Sequence, residues 1–152
     1  MKPSYRQSLY RLLEKNRETL ACMERALSMR DWNELETMGA GVLLSDIYQG
    51  TEQILVFVLE KIHGKRIPKN ESWHDALLTL SKEMSLYPQE VYPVLRGMLR
   101  YRHVQRHGYG VDLDAEKIRH NAPEAVTAYR LFEKHVLEKY PELVETAPGI
   151  PE

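Results

Sequence analysis

The stretch NELETMGAGVLLSDIYQGTEQILVFVLEKI, Asn33 to Ile62, decides the fold. Val42, Leu43, Leu44, Ile47, Tyr48, Ile54, Leu55, Val58 and Leu59 recur at helical spacing and define a wide apolar face. A face that broad predicts a helix at the centre of a bundle rather than one lying on a surface. Gly39, Gly41 and Gly50 lower its intrinsic helix propensity and are expected to permit close approach of a neighbour. Asp31 or Asn33 supplies a short side-chain oxygen that can accept an orphan N–H at its start. His63-Gly64 ends it, with glycine in the usual C-terminal position.

The same period extends outward in both directions. Tyr5, Leu9, Leu12, Leu13, Leu20, Met23 and Leu27 share one face of a preceding helix. Lys65 to Glu71 is a polar loop, and Ser72 followed by Asp75 reads as a helix start. The third helix, about Trp73 to Ser85, presents Trp73, Leu77, Leu80 and Met84. Pro88 is expected early in the fourth helix, where its missing N–H costs little. That helix carries Val91, Val94, Leu95, Met98 and Leu99 inward and is expected to end at Gly108 and Gly110. Asp114 is a candidate N-cap for the fifth helix, which Asn121-Ala122-Pro123 is expected to interrupt or kink. Ala125, Tyr129, Phe132, Val136 and Tyr140 resume the stripe. No run of strict alternation competes. The reading is an all-α, up-and-down bundle of about five helices, one domain over residues 1–140 with a C-terminal tail at 141–152.

Composition narrows the function. The 152 residues suit a single domain, and 43% hydrophobic with 28% charged residues is ordinary for a globular chain. No segment is expected to reach the roughly 20 apolar residues needed to cross a membrane, and the N-terminus lacks the apolar region of a secretory signal. Cys22 is the single cysteine, which excludes an intrachain disulfide and a multi-cysteine zinc site. These features lead to the expectation of a cytoplasmic protein. With 21 Lys+Arg against 22 Asp+Glu the chain is not built to coat nucleic acid broadly, but one focused anionic site remains open to it.

Leu95 to Asp114, LRGMLRYRHVQRHGYGVDLD, is where such a site falls. It holds Arg96, Arg100, Arg102, Arg106, His103 and His107, with no acidic residue before Asp112. RNA can be cut without a metal when its 2′-hydroxyl attacks the adjacent phosphorus. Imidazole serves as base or acid near neutral pH. Guanidinium binds two phosphate oxygens and keeps its charge. His103 and His107 are i,i+4 neighbours, as are Arg102 and Arg106. Arg102 and His107 are five apart, so at about 100° per residue they diverge by roughly 140°. They can meet one phosphate if the helix end is distorted, or if a second copy faces the first. The carbonyls at a helix C-terminus favour a protonated His107, which suits a general acid.

Arg102, His107 and Tyr109 form an Arg-x4-His-x-Tyr motif, and this resembles the HEPN ribonucleases, specifically HepT-like toxins. Asp46 to Glu60, with Tyr48 and Glu52, resembles the second helix of that family, and Ser72 to Leu80 the third. The resemblance spans roughly Ala21 to Tyr140. It implies a homodimer with both motifs at a shared cleft, a metal-independent endoribonuclease of a type VII-like toxin–antitoxin pair, and RNA as substrate. Arg102, His107 and His103 would be catalytic. It also implies an MNT-type nucleotidyltransferase antitoxin that transfers AMP onto Tyr109. Bulk and negative charge would then stand where RNA phosphate must sit. No cofactor or metal is implied.

Blander roles compete at several positions. Arg100 and Arg106 are candidate phosphate-binding cations, although Arg96 and Arg100 also read as a solvated face. Asp46 and Glu52 lie on the central helix. If buried they need partners, and the fourth-helix arginines are available, so a supporting ion pair is favoured over acid–base work. His74 beside Trp73 reads as a helix-start histidine packed on the core. His63, His120 and His135 have no carboxylate or cysteine at metal-ligand spacing. Cys22 reads as core filler. The competing functional class is a non-catalytic HEPN adaptor that binds a nucleotidyltransferase or a nucleotide.

Overall fold

A computed structural model describes residues 3–106 and 114–143, apart from the side chains of residues 3 and 103–106. Five α-helices follow in order: α1 (Pro3–Ser28), α2 (Glu34–Phe57), α3 (Trp73–Glu83), α4 (Tyr92–Arg106) and α5 (Ala115–Lys139). The described residues contain no strand. α2 touches each of the other four helices, so the widest apolar face in the sequence does occupy the centre. Ile54, Leu55, Val58 and Leu59 are fully buried there, together with Leu44, Ile47 and Tyr48. Each such side chain contributes about 1.5–3 kcal/mol by leaving water.

Asn33, not Asp31, starts α2. Its side chain accepts the Glu36 N–H at 2.8 Å while the Glu36 carboxylate accepts the Asn33 N–H at 2.9 Å. This reciprocal box satisfies two groups that a helix start leaves orphaned. At the other end α2 widens into a π-helical turn, Val58–Ile62. Gly64 then adopts φ +63°, and the Lys65 N–H returns to the Leu59 carbonyl at 2.8 Å. The Tyr140 hydroxyl meets His63 Nε2 at 2.7 Å, which ties this turn to the end of α5. By length and composition the helical stretch Glu34–Ile62 would suffice to cross a membrane. Most of that stretch is buried inside the bundle, while Leu35, Met38 and Val42 are exposed.

Several expectations are corrected. Val42 points outward, 51% exposed, because the half of α2 before Leu44 is covered on one side only. Gly50 is closely approached: a methyl group there would lie 2.2 Å from Asn16 Oδ1 of α1. Gly39 faces open space. Ser72 precedes α3 but makes no side-chain cap, since its hydroxyl bonds Asn70 Oδ1 at 3.1 Å. Pro88 lies before a 3-10 turn (Gln89–Val91), and α4 begins only at Tyr92. Cys22 is half-buried rather than core filler. Most plainly, α5 runs unbroken through Pro123. An interior proline costs about 3 kcal/mol, but buried Ile118 and Ala122 before it and Ala125, Val126 and Tyr129 after it hold both halves to one core.

Asp114 caps α5 as expected, accepting the Glu116 N–H at 2.9 Å. Ala125, Tyr129, Phe132, Val136 and Tyr140 are all buried. The chain continues into a 3-10 turn, Pro141–Leu143, that buries Leu143. The remainder of the 141–152 segment, and the α4 end expected at Gly108 and Gly110, lie outside the described residues.

Candidate functional site

Tyr48 and Glu52 are one turn apart on α2 and face the same way. That way is inward: Tyr48 is wholly buried and Glu52 is 4% exposed. A carboxylate so placed requires hydrogen-bonding or ionic partners. Three helices supply them. The Tyr48 hydroxyl donates to Glu52 Oε2 at 2.7 Å. His74 Nδ1, from the first turn of α3, bonds the same oxygen. Arg102, from α4, places NH1 3.6 Å from the other oxygen, Oε1. Burial pushes the Tyr48 hydroxyl far above its ordinary pKa, and the Glu52 charge adds to the effect against the lowering influence of Arg102 and Arg96. Tyr48 therefore stays protonated and acts as a donor.

Arg102 is itself buried at 7% exposure. Its contact with Glu52 is an ion pair too long for a hydrogen bond. Among the described residues its Nε has no hydrogen-bond partner. A guanidinium carries five donors in a planar fork. Here the cation is held in place by charge while, among the described residues, its Nε stays uncommitted, which suits the reception of an anion.

The other expected site residues separate. Asp46, a candidate for a supporting ion pair, is exposed. It lies six residues from Glu52, about 240° around the helix at 100° per residue, so the two cannot share a face. Arg96 pairs with Asp75 of α3 rather than with water alone. Arg100 is exposed beside a groove between α4 and α5 that Gly97, Tyr101, Asn121 and Glu124 help to line. It is not brought to the Glu52 cluster. The side chains of His103 and Arg106, and all of His107 and Tyr109, lie outside the described residues.

His74 is the residue that sequence reasoning placed wrongly. It does pack on Trp73, with ring centroids 4.1 Å apart, but its nitrogen is bonded to Glu52 instead of lying against apolar core. The available signal was Tyr48-x3-Glu52 itself, a buried carboxylate in need of more donors than its own helix can offer. Among the described residues no group of three or more His, Cys, Asp or Glu is arranged to hold a metal ion.

The all-α bundle of five helices, with a carboxylate–arginine pair buried between its central and fourth helices, is consistent with a HEPN-like architecture. The family model described as HepT-like protein matches residues 39–142, which include Tyr48, Glu52, His74 and Arg102. The chain belongs to the HepT-like family. No curated protein and no solved structure matches it.

Proposed function

We propose that this chain is a metal-independent endoribonuclease toxin, paired with an MNT-type nucleotidyltransferase antitoxin and acting in the cytoplasm. Family membership supports the class. The observation that carries the chemistry is Arg102, a desolvated cation whose fork is not spent on its counter-ion. In this reading the RNA 2′-oxygen attacks the adjacent phosphorus, and Arg102 stabilises the charge that gathers on the equatorial oxygens. His107 protonates the departing 5′-oxygen, with His103 beside the reacting groups. Two copies of the motif facing one another relieve the angular separation of Arg102 and His107 along a single helix, so a homodimer is part of the proposal.

Removing a general acid typically costs about 10²–10⁴ in rate. His107→Ala is therefore expected to lose RNA cleavage by that order when assayed beside the parent in excess EDTA. Equal rates would remove the histidine from the reaction. Co-purification with a nucleotidyltransferase and no cleavage by the parent protein would favour the adaptor reading instead.

Control by the antitoxin is placed at Tyr109. Incubation with the transferase and ATP is expected to raise the intact mass by AMP units, and Tyr109→Phe to abolish the gain. A Tyr109→Phe protein that still gains the mass would assign the modification elsewhere.

A further inference from the structure

Assigning His107 as the acid leaves the base to be identified, and the described residues contain an imidazole built for that task. His74 reaches Glu52 through Nδ1, and the same carboxylate faces Arg102 through its other oxygen. The imidazole and the candidate phosphate-binding guanidinium are thus two ligands of one buried carboxylate. They come from α3 and α4, independently of the Arg-to-His spacing along α4. In a neutral imidazole, a carboxylate that accepts from one ring nitrogen fixes the tautomer and makes the second nitrogen the acceptor. Tyr48 donates to the same Glu52 oxygen and Arg102 faces the other, so Glu52 is an acceptor and Nδ1 carries the proton. Among the described residues Nε2 makes no hydrogen bond, and the His74 side chain is 25% exposed. The Trp73 ring covers one face of the imidazole at 4.1 Å between centroids, tilted by 32°. Lys69 Nζ in turn sits 3.7 Å from the Trp73 centroid. The ring is held by its edge and its face, and among the described residues nothing engages Nε2.

We propose that His74 is the general base of the reaction, oriented by Glu52. This rests on the ribonuclease reading above. Neutral His74 takes the 2′-hydroxyl proton on Nε2 as the 2′-oxygen bonds to phosphorus. The bond from phosphorus to the 5′-oxygen breaks, and that oxygen leaves with a proton from the acid. The products are a 2′,3′-cyclic phosphate and a free 5′-hydroxyl, and His74 returns its proton to water. Glu52 steadies the imidazolium that forms. Among the described residues, Arg102, the ion-paired Asp75 and Arg96, and Lys69 across the indole are the other charges near it.

The test replaces His74 with asparagine, which keeps a donor toward Glu52 but has no second nitrogen to accept a proton. His74→Asn is expected to unfold at the parental temperature yet cleave single-stranded RNA about 10²–10⁴-fold more slowly. Free imidazole is expected to restore part of the rate to His74→Ala, a response that a merely structural role would not give. Nitrogen NMR of the parent protein is expected to show His74 protonated on Nδ1 and bare on Nε2, whatever the variants do. An active parent with equally active His74→Asn, or a proton on Nε2, overturns the base assignment alone. A parent that cuts no RNA overturns it together with the ribonuclease reading.

Discussion

A Glu52→Ala protein is expected to lose about 3–5 kcal/mol of unfolding free energy, the cost of breaking a buried ion pair from one side. The carboxylate is 4% exposed and gathers groups from α2, α3 and α4 around itself. Without it the Arg102 cation remains inside the protein with no counter-charge, and Tyr48 loses its acceptor. The damage comes from the partners left behind more than from any large net gain in forming the pair. Replacing Glu52 and Arg102 together by leucine and methionine should therefore recover the part of the loss due to the unpaired cation, since apolar side chains of similar volume often substitute for a buried pair, while the Tyr48 hydroxyl stays without its acceptor. Urea unfolding of the parent, single and double variants checks both statements. A single variant within about 1 kcal/mol of the parent, the usual worth of an exposed pair, would mean that Glu52 does not hold these helices together.

The largest effect on activity is expected at Arg102. Lysine there keeps a positive charge opposite Glu52, so the fold should survive. It presents a point charge in place of a planar fork, and the two are not interchangeable at a phosphate. Arg102→Lys should lower RNA cleavage by about 10³-fold or more, the scale seen when a charge-stabilising arginine is lost from phosphoryl transfer. Single-turnover cleavage in EDTA, alongside urea unfolding of the same protein, separates the chemical loss from a folding defect. Parental cleavage by Arg102→Lys would show that the guanidinium does not hold the phosphorus-centred charge.

Much of this architecture is written locally along the chain. Leu9, Leu13, Leu20 and Met23 in α1, and Tyr129, Phe132 and Val136 in α5, are buried as their spacing requires. Asn33, Gly64 and Asp114 punctuate the helices as their side chains, or the lack of one, dictate. Such features follow from backbone geometry within a few residues, and sequence order is enough to read them. Pro123 shows where that stops. Its local penalty is real, yet α5 continues because packing on both sides outweighs it.

By itself, then, the sequence determined a five-helix bundle with a broad apolar second helix, and it offered the fourth-helix arginines as partners for Asp46 or Glu52. Only the tertiary structure decided that Glu52 faces inward while Asp46 faces water, that Arg96 is taken by Asp75, and that His74 shares Arg102's carboxylate. Helical periodicity assigns a residue to a face of its own helix. Which donors satisfy a buried charge depends on how separate helices rotate and dock, and the side chains that meet at Glu52 come from positions 22 and 50 residues further along the chain.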